Sequence, residues 1–365
     1  MRVLISGGGT GGHIFPAIAI ADAIREKAPD AEILFVGAKG KMEMEKVPKA
    51  GYPIEGLWIS GFHRSLDWRN LLFPIKLISS MWKAAAIVRR FKPDVAVGVG
   101  GYASGPILRV ASRSGIPCLI QEQNSYAGVT NRLLAAKVSR ICVAYDQMER
   151  YFPKEKIVLT GNPVRRDLRD AQPDKAEAAR YYDLTPGVPV IFVFGGSLGA
   201  LRLNEAMAAN AALLARHPEV QVLWQAGSLY YERFKESDTA KLNNVRIRPF
   251  IERMDLAYAL ADVAICRAGA LTISELCLLG QPAILVPSPN VAEDHQTKNA
   301  KALANHNAAL MISDNEAAEK MIVEALRLLD DKAQLKALSD NARKLAHPDA
   351  AAQIAGEVLQ LANKR

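Results

Sequence analysis

The sequence predicts an α/β protein of two Rossmann-like domains, each built on a parallel sheet. Three observations predict it. Apolar runs of strand length alternate with helical stretches almost throughout. A strand, a glycine loop and a helix follow one another in "MRVLISGGGTGGHIFP", and again in "VIFVFGGSLGALRLNEAM". The chain has 365 residues, half of them hydrophobic, which is enough core for two domains rather than one.

Taken in order, the first half predicts strands at 2–6, 32–36, 54–59, 95–98, 117–122, 140–144 and 156–160. Helices are expected at 14–24, 69–91 and 128–137. The stretch "GNPVRRDLRDAQPDKAEAARYYDLTPGVP" carries four prolines and reads as a linker with a short helix. The pattern then restarts, with strands at 190–194, 220–225, 245–249, 263–266, 283–286 and 309–312 and a helix from about Asn204. Residues 319–363 read as helical. The expected domains are therefore 1–163 and 164–342, with a final helix in 343–365 that packs back on the first domain.

The glycine loops bear on chemistry. Glycine lets the backbone approach a ligand closely. A loop opening a helix presents free N–H groups and the positive helix end to one point, which suits phosphate or pyrophosphate. A tight turn without a ligand is the other reading. Gly7, Gly9 and Gly12 fit G-x-G-x-x-G, but a dinucleotide site also wants an acid closing the second strand. Here that strand runs into Gly37, Ala38 and Lys39, and no Gly-Lys-Ser/Thr follows to make a Walker loop. A third stretch, "GVGGYASGP", reads equally as a ligand loop or a packed turn.

Composition narrows the class. Residues 1–163 hold 22 Lys/Arg against 13 Asp/Glu, whereas residues 164–365 hold 24 against 25. The whole positive excess lies in the first half, so an acidic surface, lipid or nucleic acid, is expected to face it. The four cysteines are scattered without a CxxC pair, which suits a reducing compartment. The opening residues read as a strand rather than a leader, and no run is apolar enough to span a bilayer.

In the second half, "CRAGALTISELCLLGQPAILVP" supports two readings. Thr272 as N-cap with Glu275 three residues on makes a capping box. Alternatively the helix start holds a diphosphate, Arg267 neutralises it and Glu275 accepts from ribose hydroxyls. Downstream, "EDHQTKN" places Gln296, donor and acceptor at once, where sugar hydroxyls would suit it.

Seven blocks in this order, "GGGTGGHIFP", "QEQNSYAGVTN", "GNPVR", "FGGSLGA", "PFIERM", "CRAGALTISE" and "EDHQTKNA", span essentially the whole chain. Together they closely resemble the MurG family of bacterial cell-wall glycosyltransferases. The resemblance implies a GT-B fold, with two Rossmann-like domains separated by a deep cleft, and inversion at the anomeric carbon without a metal or other cofactor. It implies transfer of GlcNAc from UDP-GlcNAc to the 4-hydroxyl of undecaprenyl-pyrophosphoryl-MurNAc-pentapeptide on the cytoplasmic face of the inner membrane, with no nucleic-acid partner. A UDP-sugar 2-epimerase of the same fold is the alternative.

Carried over by position, Thr10, Gly11 and Gly12 are expected beside the sugar and the acceptor pyrophosphate, and Asn124 on the donor sugar. Arg165 and Ser197 are expected on the nucleotide diphosphate, and Ile251 on uracil through its backbone. Ala270, Leu271, Thr272, Ile273 and Ser274 form the expected helix start under the diphosphate, with Glu275 on ribose and Gln296 on GlcNAc. His13 is the expected general base, having an ordinary pKa near neutrality. It could instead only bond the loop, and Glu122 is the second candidate base.

Segment 69–92 carries two apolar stripes if helical, Leu71, Ile75, Ile78 and Trp82 on one and Leu77, Met81, Ala84 and Val88 on the other. One stripe is expected to pack on the sheet. The other, bordered by Arg69, Lys76, Lys83, Arg89, Arg90 and Lys92, is expected either to be buried too or to meet an anionic membrane surface.

Overall fold

The computed structural model describes residues 1–61, 72–170, 173–196, 198–291 and 294–364, apart from the side chain of Asp167. The chain forms two compact units, residues 1–165 with 347–365, and residues 166–346.

The first unit runs β1 (Arg2–Ser6), α1 (Gly11–Lys27), β2 (Glu32–Ala38), α2 (Glu43–Lys49), β3 (Ile54–Leu57), α3 (Phe73–Phe91), β4 (Val95–Gly98), α4 (Ser104–Arg113), β5 (Cys118–Glu122), α5 (Val129–Leu134), β6 (Arg140–Val143) and β7 (Ile157–Leu159). Its seven strands are all parallel, in the order β3-β2-β1-β4-β5-β6-β7. β4 and β5 are buried along their whole length, as strands covered on both faces must be. Chain order reverses between β1 and β4. Ser6 pairs with Gly98 there, so the loops that follow leave the sheet side by side.

The second unit contains α6 (Arg166–Arg169), α7 (Lys175–Tyr181), β8 (Val190–Phe194), α8 (Leu201–Ala209), α9 (Ala211–Ala215), β9 (Gln221–Gln225), α10 (Tyr231–Phe234), β10 (Val245–Arg248), α11 (Met254–Leu260), β11 (Val263–Cys266), α12 (Ala270–Leu279), β12 (Ala283–Leu285), α13 (His295–Ala304), β13 (Leu310–Met311), α14 (Ala317–Asp330) and α15 (Lys332–Lys344). Its parallel strands follow β10-β9-β8-β11-β12-β13, with the reversal between β8 and β11. Trp224 of β9 is fully buried in its core, and its indole N–H donates to Asn204 Oδ1 at 2.9 Å. That bond satisfies the ring's one polar atom.

The last helix, α16 (Ala350–Asn363), belongs to the first unit. Ala351, Ile354, Ala355 and Val358 share a core with Ala17, Ala21 and Ile24 of α1. The small residues let the two helices approach closely.

The thirteen strands lie where the apolar runs predict, within a residue or two at their ends. Helix starts differ more. α1 begins at Gly11, not Ile14, and α8 at Leu201, not Asn204. The capping-box reading of Thr272 does not hold. α12 opens at Ala270 with Gly269 as its extended N-cap, so Thr272 lies inside the first turn.

On α3 the buried residues are Ser80, Ala84, Ile87 and Val88. Ile75, Ile78 and Trp82 are 55, 60 and 77% exposed, so the stripe they form does not pack on this unit. Leu77 is also partly exposed. The cations expected along this helix are partly engaged elsewhere. Lys76 Nζ donates to Ser60 Oγ at 3.0 Å, Lys83 Nζ to Gly56 O at 2.8 Å, and Arg90 pairs with Glu55. Arg69 and Leu71 lie outside the described residues. Among the described residues, no helix is long and apolar enough to cross a membrane.

Candidate active site

Both glycine loops stand at the carboxyl ends of the strands where chain order reverses, the place where open parallel sheets bind ligands. In the first unit, Gly7–Thr10 leaves β1 and Val99–Ala103 leaves β4. Gly101, at φ +81°, sits so close that a Cβ there would lie 2.2 Å from Gly8 O. No side chain would allow the two loops that approach.

A buried carboxylate supports the first loop from behind. Glu43, the first residue of α2, is fully buried. Its two oxygens accept the N–H of Gly9 at 3.2 and 3.1 Å, and Oε1 also accepts that of Ala38 at 2.9 Å. Gly9 is therefore not a free anion donor. The donors left to the loop are the N–H groups that open α1, at Gly11 and Gly12, which a helix leaves unsatisfied. No acid stands in that first turn, so the helix end keeps its positive character.

His13 lies in the same turn. Its Nδ1 is 3.1 Å from Gly8 O and 3.2 Å from Thr10 Oγ1. A carbonyl oxygen only accepts, so Nδ1 carries the proton and Nε2 is the basic nitrogen of the neutral ring. The other side of the ring faces Gly100, where a Cβ would come within 2.9 Å of Nε2.

The other candidate base is differently placed. Glu122 is 2% exposed. It accepts from Gly128 N at 2.9 Å, Asn131 Nδ2 at 2.9 Å, and Asn124 N at 3.1 Å. Burial raises its pKa, against the pull of those donors. Both oxygens thus accept bonds that shape the 123–128 loop, the N–H of Asn124 among them. Beside it, Gln121 Nε2 donates to Asn162 Oδ1 at 2.9 Å, Asn162 Nδ2 to Gln123 O at 3.0 Å, and Gln123 Nε2 to Val99 O at 2.8 Å. This buried amide ladder ties the ends of β4 and β5 to the "GNPVR" segment. Arg165, at the end of that segment, lies over the Phe15 ring of α1, 5.2 Å from its centroid.

In the second unit, a cavity of about 500 Å³ is lined by Gly195, Gly199, Arg202, Arg267, Gln296 and Asp314, among others. Arg267 and Gln296 thus line the same cavity. The charge on Arg267 is not free, however. It pairs with Asp314 at 2.5 Å and donates to Val286 O at 3.0 Å. Gln296 Oε1 accepts from Ser288 N at 2.9 Å, which orients its amide. Ala270, Leu271, Thr272, Ile273, Ser274 and Glu275 occupy the first turns of α12 and do not line this cavity. Glu275 Oε2 accepts from Tyr258 OH at 3.0 Å. Ile251 is 2% exposed, just beyond β10. Ser197 lies outside the described residues.

Glu43, Tyr258 and Asp314 have partners in these sites yet stand in no motif. They are distant in sequence from the loops they serve, and no spacing marks them.

Residues 3–143 match the glycosyltransferase family 28 N-terminal domain, and residues 190–354 its C-terminal domain. The chain is 54% identical to a UDP-N-acetylglucosamine--N-acetylmuramyl-(pentapeptide) pyrophosphoryl-undecaprenol N-acetylglucosamine transferase of Bacteroides fragilis, covering 100% of this chain and 96% of that protein. It is 54% identical to the protein of the same name from Cytophaga hutchinsonii, covering 99% and 97%. Among solved structures it resembles MurG of Acinetobacter baumannii, with 29% identity, a TM-score of 0.74, and coverage of 98% of this chain and 99% of that one. A UDP-GlcNAc 2-epimerase from Neisseria meningitidis, at 13% identity and a TM-score of 0.69 over 100% of both chains, shares the fold alone.

Proposed function

Starting from the premise that the chain belongs to the MurG family, we propose that it moves GlcNAc from UDP-GlcNAc to the 4-hydroxyl of MurNAc in the (pentapeptide) pyrophosphoryl-undecaprenol acceptor. It is a hexosyltransferase of peptidoglycan synthesis. The observation that carries the assignment of roles is that each sheet sets a glycine loop and a helix N-terminus at its own point of chain reversal.

The first unit handles the acceptor. The N–H groups at Gly11 and Gly12 take the pyrophosphate beside Thr10, and His13 Nε2 takes the proton of the 4-hydroxyl. The oxygen bonds to the anomeric carbon as the bond from that carbon to the UDP phosphate breaks, so UDP leaves with the electron pair and the configuration inverts. The second unit handles the donor. Its glycine loop, with Arg202 and Arg267, offsets the charge that develops on the leaving diphosphate. Gln296 Nε2 donates to a sugar hydroxyl, Glu275 accepts from ribose, and the backbone at Ile251 reads the base. Arg165 adds a guanidinium beside α1.

The exposed Ile75, Ile78 and Trp82 of α3 dip into the headgroup region of an anionic leaflet, with Arg89 and Lys92 above them. The protein is then peripheral, at the cytoplasmic face of the membrane that carries its acceptor.

The test is transfer of labelled GlcNAc from UDP-GlcNAc to the lipid-linked MurNAc-pentapeptide, with one UDP released per sugar moved. Epimerisation of UDP-GlcNAc without transfer would overturn the reading.

A further inference from the structure

One peptide group in the first glycine loop is bonded at both of its ends. The N–H of Gly9 donates to the carboxylate of Glu43 at 3.1 and 3.2 Å, and the carbonyl of the same peptide, Gly8 O, lies 3.1 Å from His13 Nδ1. The three groups form one chain, carboxylate to peptide to imidazole. We propose that Glu43 is a positioning residue for His13, acting through the Gly8–Gly9 peptide group. This rests on the reading of His13 as the base.

The physical argument has three steps. A hydrogen bond from an amide N–H to a carboxylate pulls the N–H proton outward and pushes electron density onto the carbonyl of the same peptide, since chains of hydrogen bonds polarise one another. The richer carbonyl is a better acceptor for Nδ1–H, so it fixes the ring's orientation and tautomer. When Nε2 takes the hydroxyl proton, the imidazolium charge spreads to Nδ1–H, and the same bond strengthens. A carboxylate bonded directly to a catalytic imidazole works in this way. Here a peptide stands between them.

The local structure is built around this chain. Gly8 has φ +155°, and a Cβ on it would lie 2.1 Å from Glu43 Oε1. Gly37, at the end of β2, would strike Glu43 Cγ at 2.5 Å if it carried one. Two glycines therefore open the space through which a buried carboxylate reaches the loop. A role in supporting the turn alone would need no particular alignment with the peptide that His13 uses. Among the described residues, Tyr102, near Gly9, and Arg165, over the Phe15 ring, are further titratable or charged groups at this loop. The first turn of α1 contributes no acid.

The experiment uses the full chain with ¹⁵N-labelled histidine. In the wild type, the nitrogen shifts of neutral His13 are expected to report the Nδ1–H tautomer. In Glu43→Gln, which keeps one oxygen but loses the charge, the His13 titration midpoint should move to lower pH. There kcat should fall about 10–100-fold, on the scale seen when the outer partner of a metal-bound imidazole is removed. UDP affinity should stay unchanged, because its loops lie in the other unit. Glu43→Asp, which keeps the charge, should recover part of the loss. A wild type with the Nε2–H tautomer would overturn the proposal even if no variant folds. So would a folded Glu43→Gln protein with an unmoved His13 midpoint. If His13→Ala turns over normally while Glu43→Gln still moves the midpoint, the relay stands and it is the reading of His13 as base that fails.

Discussion

The guanidinium of Arg267 is 2.5 Å from the carboxylate of Asp314, and Arg202 approaches the same carboxylate at 3.7 Å. One acid thus answers two arginines in the wall of the cavity proposed to take the diphosphate. An incoming phosphate must compete with Asp314 for both. Asp314→Asn is expected to tighten UDP binding about three- to tenfold, on the scale of one charge-assisted contact, and to slow turnover by holding the product. Calorimetric titration with UDP checks this. An unchanged affinity would mean that the acid does not face the nucleotide.

Glu275 is held by Tyr258, not by a helix cap. Tyr258→Phe should then cost about 0.5–1.5 kcal/mol of stability, the worth of one hydrogen bond, with a small effect on the donor KM. Glu275→Ala should cost a similar amount and also raise the KM for UDP-GlcNAc strongly. If the two variants are alike in KM, Glu275 serves only to hold Tyr258.

The four thiols, at Cys118, Cys142, Cys266 and Cys277, are buried. Burial pushes Cys118, Cys142 and Cys277 up to about 12, and Cys266 further. They are expected not to react with a disulfide reagent at pH 8 until the protein unfolds. The linkage has a sign. Below the ordinary thiol value of 9.0 the groups are neutral in both states and change nothing. Above it the unfolded chain ionises first, so stability should fall as pH rises from 9 toward 12. Equilibrium denaturation across that range measures the slope, and a flat profile would contradict it.

The exposed stripe of α3 gives a prediction about place. Burying Ile75 and Trp82 in a bilayer interface is worth about 1.5–3 kcal/mol for each side chain. Ile75→Glu with Trp82→Glu should therefore weaken binding to anionic vesicles by well over tenfold, while UDP-GlcNAc binding persists. Binding of the wild type should also fall with added salt. Equal sedimentation of the wild type and the folded double variant would remove the stripe from the membrane.

Much of this architecture is legible in the residues. A buried parallel strand is a short apolar run, so β1, β4, β5 and β8 announce themselves, and each glycine loop follows one. Helix starts are less legible because glycine and alanine look like loop. α1 opens on Gly11 and Gly12, and α12 on Ala270, so the polar Thr272 was a misleading signpost. Residues picked out by motif, such as His13 and Gln296, lie in the first turns of α1 and α13 rather than in the loops before them. Residues that act by reaching across the fold do not announce themselves. Glu43 lies thirty residues from His13 in sequence and Asp314 lies 47 from Arg267, and only the fold brings such pairs together.

The packing of α16 against α1 ties the first unit to the end of the chain. Synthesis is vectorial, and domains tend to fold as they emerge. The first unit cannot do so completely, because Ala351, Ile354 and Val358 are made only after the whole second unit. Until then the apolar face of α1, with Ala17, Ala21 and Ile24, waits uncovered on the nascent chain. The second unit, whose residues are continuous, can mature first although it is translated later. A premature stop anywhere in α16 would leave it intact and damage the half that bears His13.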